Sequence, residues 1–587
     1  MKDHLFSLNA DPVKAIARQL DCLEKGKTSK GDVANAVERA VKLRPQEFLA
    51  ALTDGERNYF AECVHTEVPS DWMFSAKYGC SAPKTTGYWG HNKKPGPLLA
   101  VIQHERESPP TLVPGIREIY QKFVAAPAPP TASTVEAPAE AFGEQPVHVF
   151  SGEAEAPAQL ARVLRLIQSG KIKVADSTGR PTDASVRALA EVLLQPDFDL
   201  EKPEESGMPW ESDVAGPVRA HAWGVLAQQC DWAKAKAGTL ALTPAGKAIL
   251  EKFTPELYSD GVSSFLENEK FDELNRVNHI RGQSGKAKRW MTSPADRKVA
   301  FSETVGNWPL GKWMTFQETV RIIAASGGEH EVLASRGSLY ICDVQYGSIW
   351  DCRDLSIQFF RALTMESLAT LGLVDIAYVY PHSLWPEFSD SYGRDAHSFL
   401  GRYDGLLYAR LNPLGAWCFG LADSYSLPEI KKTAIFHILP NHELVATTAP
   451  DTSIIAFVDL FAVRKSDAVW GFDAEKTLGF IEGGGSMEEL RDFLIARSSG
   501  GIPDNVGVWL DGLLRKSSSC RRAEKAVLFE WSEPAQAALM ASSSETSRLC
   551  HHVGENRIVV PAAKLAAFTR AARKMGFILP RVPGPKA

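Results

Sequence analysis

Seven cations and one acid, Asp296, stand between residues 276 and 298, in RVNHIRGQSGKAKRWMTSPADRK. The cations are Arg276, Arg281, Lys286, Lys288, Arg289, Arg297 and Lys298. This is the densest positive run in a chain whose formal net charge is −6. Lysine and arginine in such a run neutralise phosphates without reading base sequence. A second set lies upstream: Lys171, Lys173 and Arg180, followed by Thr182, Ser185 and Arg187. These side chains can reach phosphates or base edges. Because the molecule as a whole is acidic, a nucleic-acid site has to be local. Arg281, Lys286, Lys288 and Arg289 join the upstream set as the expected DNA contacts.

Residues that would carry reactive chemistry are poorly placed for it. Gly26-Lys27-Thr28 lacks the first glycine of a phosphate-cradling loop, and DCLEKG before it reads as helix, not strand. The glycines at 483–485 read as a helix-ending loop. His330 in GGEHEV has no second histidine at i+4, so a zinc-protease pair is missing. Cys550, His551 and His552 are adjacent, and neighbours on a strand point apart. Asp197, Asp199 and Glu201 form a loose carboxylate cluster, but Pro196 and Pro203 mark a loop, and the acid-x-Lys strand of a nuclease is absent. No catalytic residue, metal or cofactor is expected; an unrecognised nuclease stays as the third reading. Trp210, Trp223 and Trp232 invite base stacking. Trp223, Leu226 and Cys230 fall near one helix face, which favours core packing.

The elements that must position these residues are suggested by a pattern that occurs twice. LTPAG at 242–246 and LNPLG at 411–415 each read as a strand running into a helix or turn. Thr243 and Asn412 are good N-caps, and Pro244 and Pro413 fall where a helix needs no N–H. A strand closing in this way behind amphipathic helices suggests the wing of a winged helix. The spacing predicts an α+β multidomain chain, as 587 residues exceed one core. The expected divisions are a helical N-terminal domain at 1–124 and a disordered Ala/Pro-rich linker at 125–146. A first winged helix follows at 147–275, a basic connector at 276–298, a second winged helix at 299–428 and a mixed α/β domain at 429–587. In the first winged helix the recognition helix is expected to start at Thr182 or Asp183. The second offers only Arg361 and reads as a packing helix. In the last domain Ser486 and Glu489 read as a capping box. Composition is that of a soluble globular protein, 44% hydrophobic and 23% charged. Nine scattered cysteines without CxxC spacing fit reduced thiols. With no apolar signal segment and no 18-residue apolar run, a cytoplasmic protein without a membrane span is expected.

The segments IFHILPNHELVATT and GGGSMEELRDFLIARSSGGIPDNVGVWLDGLLRK resemble the N-terminal domain of XPB-type helicases, which also occurs in bacterial helicase-associated proteins. The carrying pieces fall at Gly485 to Leu494 and Ile502 to Val506. LALTPAGKAIL, FDELNRVNHIRGQ and FLGRYDGLLYARLNPLGAWCFGLA resemble the winged-helix portion of the same proteins, so the resemblance spans roughly 150 to 581. It implies tandem winged helices and an XPB-like domain without a helicase motor. The function expected is a non-catalytic adaptor that holds duplex or forked DNA and docks a helicase or nuclease encoded nearby, in genome maintenance or anti-phage defence. A protein–protein scaffold without DNA binding is the alternative.

Overall fold

A computed structural model describes residues 1–23, 26, 29–83, 96–104, 109–198, 200, 215–282, 291–328, 330, 332–333, 339–341, 352–382, 384, 397–428, 434–450, 452–482, 485–519 and 525–580. Lys286, Lys288, Arg289, Lys27, Thr28, Asp199, Glu201 and Trp210 lie outside these. The protein is mixed α+β with small antiparallel sheets, and divides into two compact units, Met1–Gly501 and Ile502–Ala587. The division falls inside the stretch expected to form one domain at 429–587.

The first unit opens with helices Ala10–Gln19, Lys30–Leu43, Asp54–His65 and Asp71–Tyr78. They form where apolar residues recur on one face, and they bury a core of their own around Val37, Phe48, Phe60 and Tyr120. Thr53 and Glu56 cap Asp54–His65 reciprocally.

Residues 125–146, expected to run free, are tied down. Thr131 O accepts from Arg321 Nη2 at 2.6 Å, and Ser133 N–H donates to Glu318 Oε1 at 2.7 Å. Val135 bridges Trp313, and Ala141–Phe142 pairs with Gln145–Pro146. The next strand, His148–Phe150, adds to a four-stranded sheet beside Val374–Tyr378. The segment has few apolar groups, but its backbone amides find partners on helix Phe316–Ala325, which composition does not reveal.

The rest of the first unit repeats one order of elements. The first copy runs helix Ala156–Gln168, a short strand at Lys173, helices Asp183–Ala190 and Arg219–Gln229, hairpin Ala233–Lys236/Thr239–Leu242 and helix Pro244–Glu251. In the second copy the order is helix Pro294–Thr304, strand Met314–Thr315, helices Phe316–Ala325 and Cys352–Ala362, hairpin Val374–Tyr378/Leu406–Leu411 and helix Pro413–Cys418. A shorter third copy has strand Glu443–Ala446, helix Thr452–Val458, hairpin Ala462–Ser466/Val469–Phe472 and helix Ala474–Glu482.

All three hairpins close by the same device. The N–H of Thr243, Asn412 and Asp473 donates to the carbonyl just before its hairpin, that of Trp232 (3.1 Å), Leu373 (3.5 Å) and Phe461 (3.1 Å). The side-chain oxygen of each then accepts the amide three residues on, from Gly246 (3.0 Å), Gly415 (2.9 Å) and Lys476 (2.8 Å). Such a cap contributes about 1 kcal/mol. Glycine is needed in two copies because the turn passes close to that carbonyl. A Cβ on Gly246 would stand 1.9 Å from Trp232 O, and on Gly415 2.1 Å from Leu373 O.

Ser486 accepts the Glu489 amide at 3.0 Å as expected. The Glu489 carboxylate is committed elsewhere, to Arg162 Nε at 2.7 Å, so the reciprocal half of that capping box is replaced by a tertiary ion pair.

The second unit contains helix Asp504–Ser518 and a three-stranded sheet, Ala526–Glu530, Arg557–Pro561 and His551–Val553. Helices Pro534–Ser542 and Leu565–Lys574 cover one face of that sheet through Met540, Phe568 and Ala572 against Phe529, Ile558 and Val560.

Candidate nucleic-acid interface

A cationic surface needs charges that are exposed, convergent and uncompensated, and each expected contact can be placed on that scale. Lys171 and Lys173 are exposed and flank the short strand of the first copy, where Lys173 bridges Thr239. Thr239 in turn faces Lys236, and Ala241 faces Lys234. Directly opposed residues in an antiparallel ladder share one side of the sheet, as do residues two apart. Lys171, Lys173, Lys234 and Lys236 therefore lie on one face. Ile172, Val174, Leu240 and Ala233 take the other face and are buried. The strands contribute no acid to the lysine face; a carboxylate, that of Asp176, stands at the hairpin tip beside Gly238. Ala237 and Gly238 take left-handed conformations (φ 49° and 71°), the two-residue turn that suits a twisted hairpin.

Ser185, expected to touch DNA, is 2% exposed and does something else. Its hydroxyl accepts the Lys173 N–H at 2.7 Å and donates to the Lys173 carbonyl at 2.9 Å. It pins the strand that presents the lysines. Thr182 is exposed and caps helix Asp183–Ala190, with its hydroxyl 3.0 Å from that of Ser185. Lys171 Nζ donates to Glu482 O at 2.9 Å, which leaves Lys173, Lys234 and Lys236 as the three least committed ammonium groups. Arg187 is exposed on helix Asp183–Ala190, and Arg281 on a separate ladder, Ile280–Gly282 with Leu339–Ile341. Arg180 is half-buried and lines a cleft with His221, Glu273, Arg276 and Glu366.

The basic run does not act as a unit. Arg276 is largely buried, its side chain 11% exposed; its Nη1 lies 2.7 Å from Glu366 Oε2, while Nη2 donates to Pro217 O at 2.8 Å. Arg297 pairs with Asp272 at 2.7 Å, and Lys298 Nζ donates to Phe265 O and Asn268 O. These three cations hold the core together. Burial by itself would raise the Glu366 carboxyl, but Arg276, with His221 and Tyr403, outweighs it and holds it down at about 2. Burial lowers His221, which favours the neutral imidazole.

The helix that precedes each of the first two hairpins would be the reading helix of a winged helix, and both are inside. In the first copy this is Arg219–Gln229, not the helix at Thr182. Trp223, Leu226 and Ala227 in it are buried, and its Gly224 packs on Pro181 and Leu189. In the second copy the residues of Leu363–Leu368, which continue Cys352–Ala362, are all buried. Arg361 there is 3% exposed and donates to Leu406 O, stacked 4.2 Å over Phe316. Asp197 is also structural: its carboxylate accepts the amides of Phe198, Val218, Arg219 and Ala220 at 2.6 to 2.9 Å, capping the buried helix from 21 residues away.

The third hairpin carries Arg464 and Lys465, but Asp467 lies 3.2 Å from the first and Glu443 2.7 Å from the second. Among the described residues, its lysine and arginine are paired with acids, where Lys173, Lys234 and Lys236 of the first are not. Lys234 and Lys236 were missed in the sequence reading. Their signal is the alternation AKAKAG, with period two ahead of a turn pair. Among the described residues, no helix is long and apolar enough to cross a membrane. Compared with known families and with curated proteins, the chain matches no family model and no curated sequence.

Proposed function

We propose that the chain is a non-catalytic nucleic-acid-binding protein that grips duplex DNA through the lysine face of its first hairpin. The observation that carries this reading is the exposure of Lys173, Lys234 and Lys236, with Lys171, on one side of a three-stranded surface to which the strands add no acid. The repeated elements are taken as winged-helix units whose wings, and not whose reading helices, face the ligand. Contacts of this kind hold phosphates and leave sequence unread. The net charge of the whole chain does not forbid this, because exposed charges beyond about 8 Å are screened at physiological ionic strength. The third copy, with its compensated hairpin and the exposed Val463 at its edge, is the part suited to docking a helicase or nuclease partner.

The test is salt-dependent binding to a duplex. Each phosphate contact contributes about −0.9 to the slope of log K against log salt. Replacing Lys173, Lys234 and Lys236 with Ala should flatten the slope by up to about 2.7. Between 50 and 200 mM salt the wild type should then lose about 40-fold more affinity than the variant. An unchanged slope overturns the reading.

A further inference from the structure

The charge of the chain is unevenly shared. Residues 502–587 hold 13 Lys and Arg against 7 Asp and Glu, a formal +6, which leaves 52 against 64, or −12, in residues 1–501. Much of that excess gathers on one helix. From Ala562 to Lys574 the sequence AAKLAAFTRAARK has four cations and no acid. Phe568, Ala571 and Ala572 turn inward onto the sheet. Ala563, Ala566, Arg570, Arg573 and Lys574 are exposed. Residues three and four apart share a helix face, so Arg570, Arg573 and Lys574 present their heads together. Lys564 Nζ donates to Arg548 O at 2.9 Å, which places the exposed Arg548 beside the start of the helix and not beside the three cations near its end. The ion pair Arg557–Glu530 (3.6 Å) lies on the opposite face of the sheet and does not neutralise this helix.

We infer that the outer face of helix Leu565–Lys574, on the unit 502–587, is a second contact of this chain for the phosphate backbone of duplex nucleic acid. This rests on the nucleic-acid reading given above. The small Ala563 and Ala566 side chains leave the cations as the most projecting groups on that face. An interfacial membrane helix instead needs large apolar residues on its outer side, and here Phe568 is buried inward. The contact is one to phosphates, which position the duplex and carry no base sequence.

The experiment uses the full chain and a 30-base-pair duplex of arbitrary sequence. Arg570, Arg573 and Lys574 are replaced together by Ala, which keeps a good helix former at each position. The circular dichroism spectrum should be unchanged. The salt slope should flatten by up to about 2.7, equally for unrelated sequences. Replacing the same arginines by Lys should retain the slope. If the helix variant keeps the wild-type slope while the hairpin variant loses it, this inference falls and the hairpin reading stands. The converse supports the helix contact and removes the hairpin. If the wild type fails to bind duplex at low salt, both fall. Loss of binding to vesicles of anionic lipid, with duplex affinity intact, overturns the inference in favour of a membrane surface.

Discussion

Glu366→Gln is the sharpest test of the claim that Arg276 belongs to the core and not to a DNA-binding run. Glu366 is 6% exposed and receives the Arg276 guanidinium at 2.7 Å and the Tyr403 hydroxyl. The amide keeps the shape and can still accept from Tyr403, but it leaves Arg276 charged and buried. Breaking one partner of such a pair costs about 3–5 kcal/mol. The titration argues for the same scale. A carboxyl held at about 2 instead of 4.5 contributes roughly 3 kcal/mol, at about 1.4 kcal/mol per unit. The folded value is depressed, so the contribution is complete above the unfolded value and is lost as pH falls toward 2. The gap in stability between wild type and Glu366→Gln should therefore be widest near neutral pH and close between pH 4.5 and 2. Urea unfolding followed by tryptophan fluorescence at several pH values reads both effects. Arg276→Met with Glu366→Gln should cost clearly less than the two single changes added together, because no charge is left unpaired. Duplex affinity should keep its salt slope in every folded variant. A Glu366→Gln cost under about 1 kcal/mol, flat with pH, would show that the pair is solvated and that the core assignment is wrong.

Gly246→Ala and Asp197→Ala probe the frame that presents the hairpins, with Gly512→Ala as a contrast. Gly246→Ala forces a methyl against the Trp232 carbonyl, which is backbone and cannot turn away; a loss of about 1–3 kcal/mol is expected in thermal unfolding. Gly512→Ala is the contrasting case, in a helix with nothing within 4 Å of its Cβ, and should gain about 0.5–1 kcal/mol. Equal effects at the two sites would contradict the close approach. Asp197→Ala strips the cap from helix Arg219–Gln229 and should cost about 1–2 kcal/mol in urea unfolding, with duplex binding retained; no loss would mean that those amides are satisfied otherwise.

Local signals were readable without coordinates. The N-cap, proline and glycine of LTPAG and LNPLG act over four residues, so Thr243 and Asn412 cap short helices as their types require. The third closure, at Asp473, escaped notice because its fourth position is Lys476 and not glycine; only the hydrogen bonds reveal the equivalence. Packing of Trp223 followed from helical spacing in the same way; Trp232 is buried too, but lies between that helix and the hairpin. What sequence proximity suggested about charge did not survive. Arg276, Arg297 and Lys298 look like neighbours of Arg281 in a basic stripe, yet each is drawn inward by an acid or carbonyl distant in the chain: Glu366, Asp272 and Phe265.

The sequence by itself determined the short-range features: which stretches are helical, where they are capped, and that the charge excess is local and not global. Tertiary structure alone decided which cations face water. A lysine or arginine costs free energy to bury unless a partner meets it, and that partner is supplied by chain folding from 25 to 90 residues away at Asp272 and Glu366. The same long-range assembly buried the helices that precede the first two hairpins, and set Lys173 on the same side as Lys236 through Thr239, which lies between them. No local pattern encodes a contact between residues that only the core brings together.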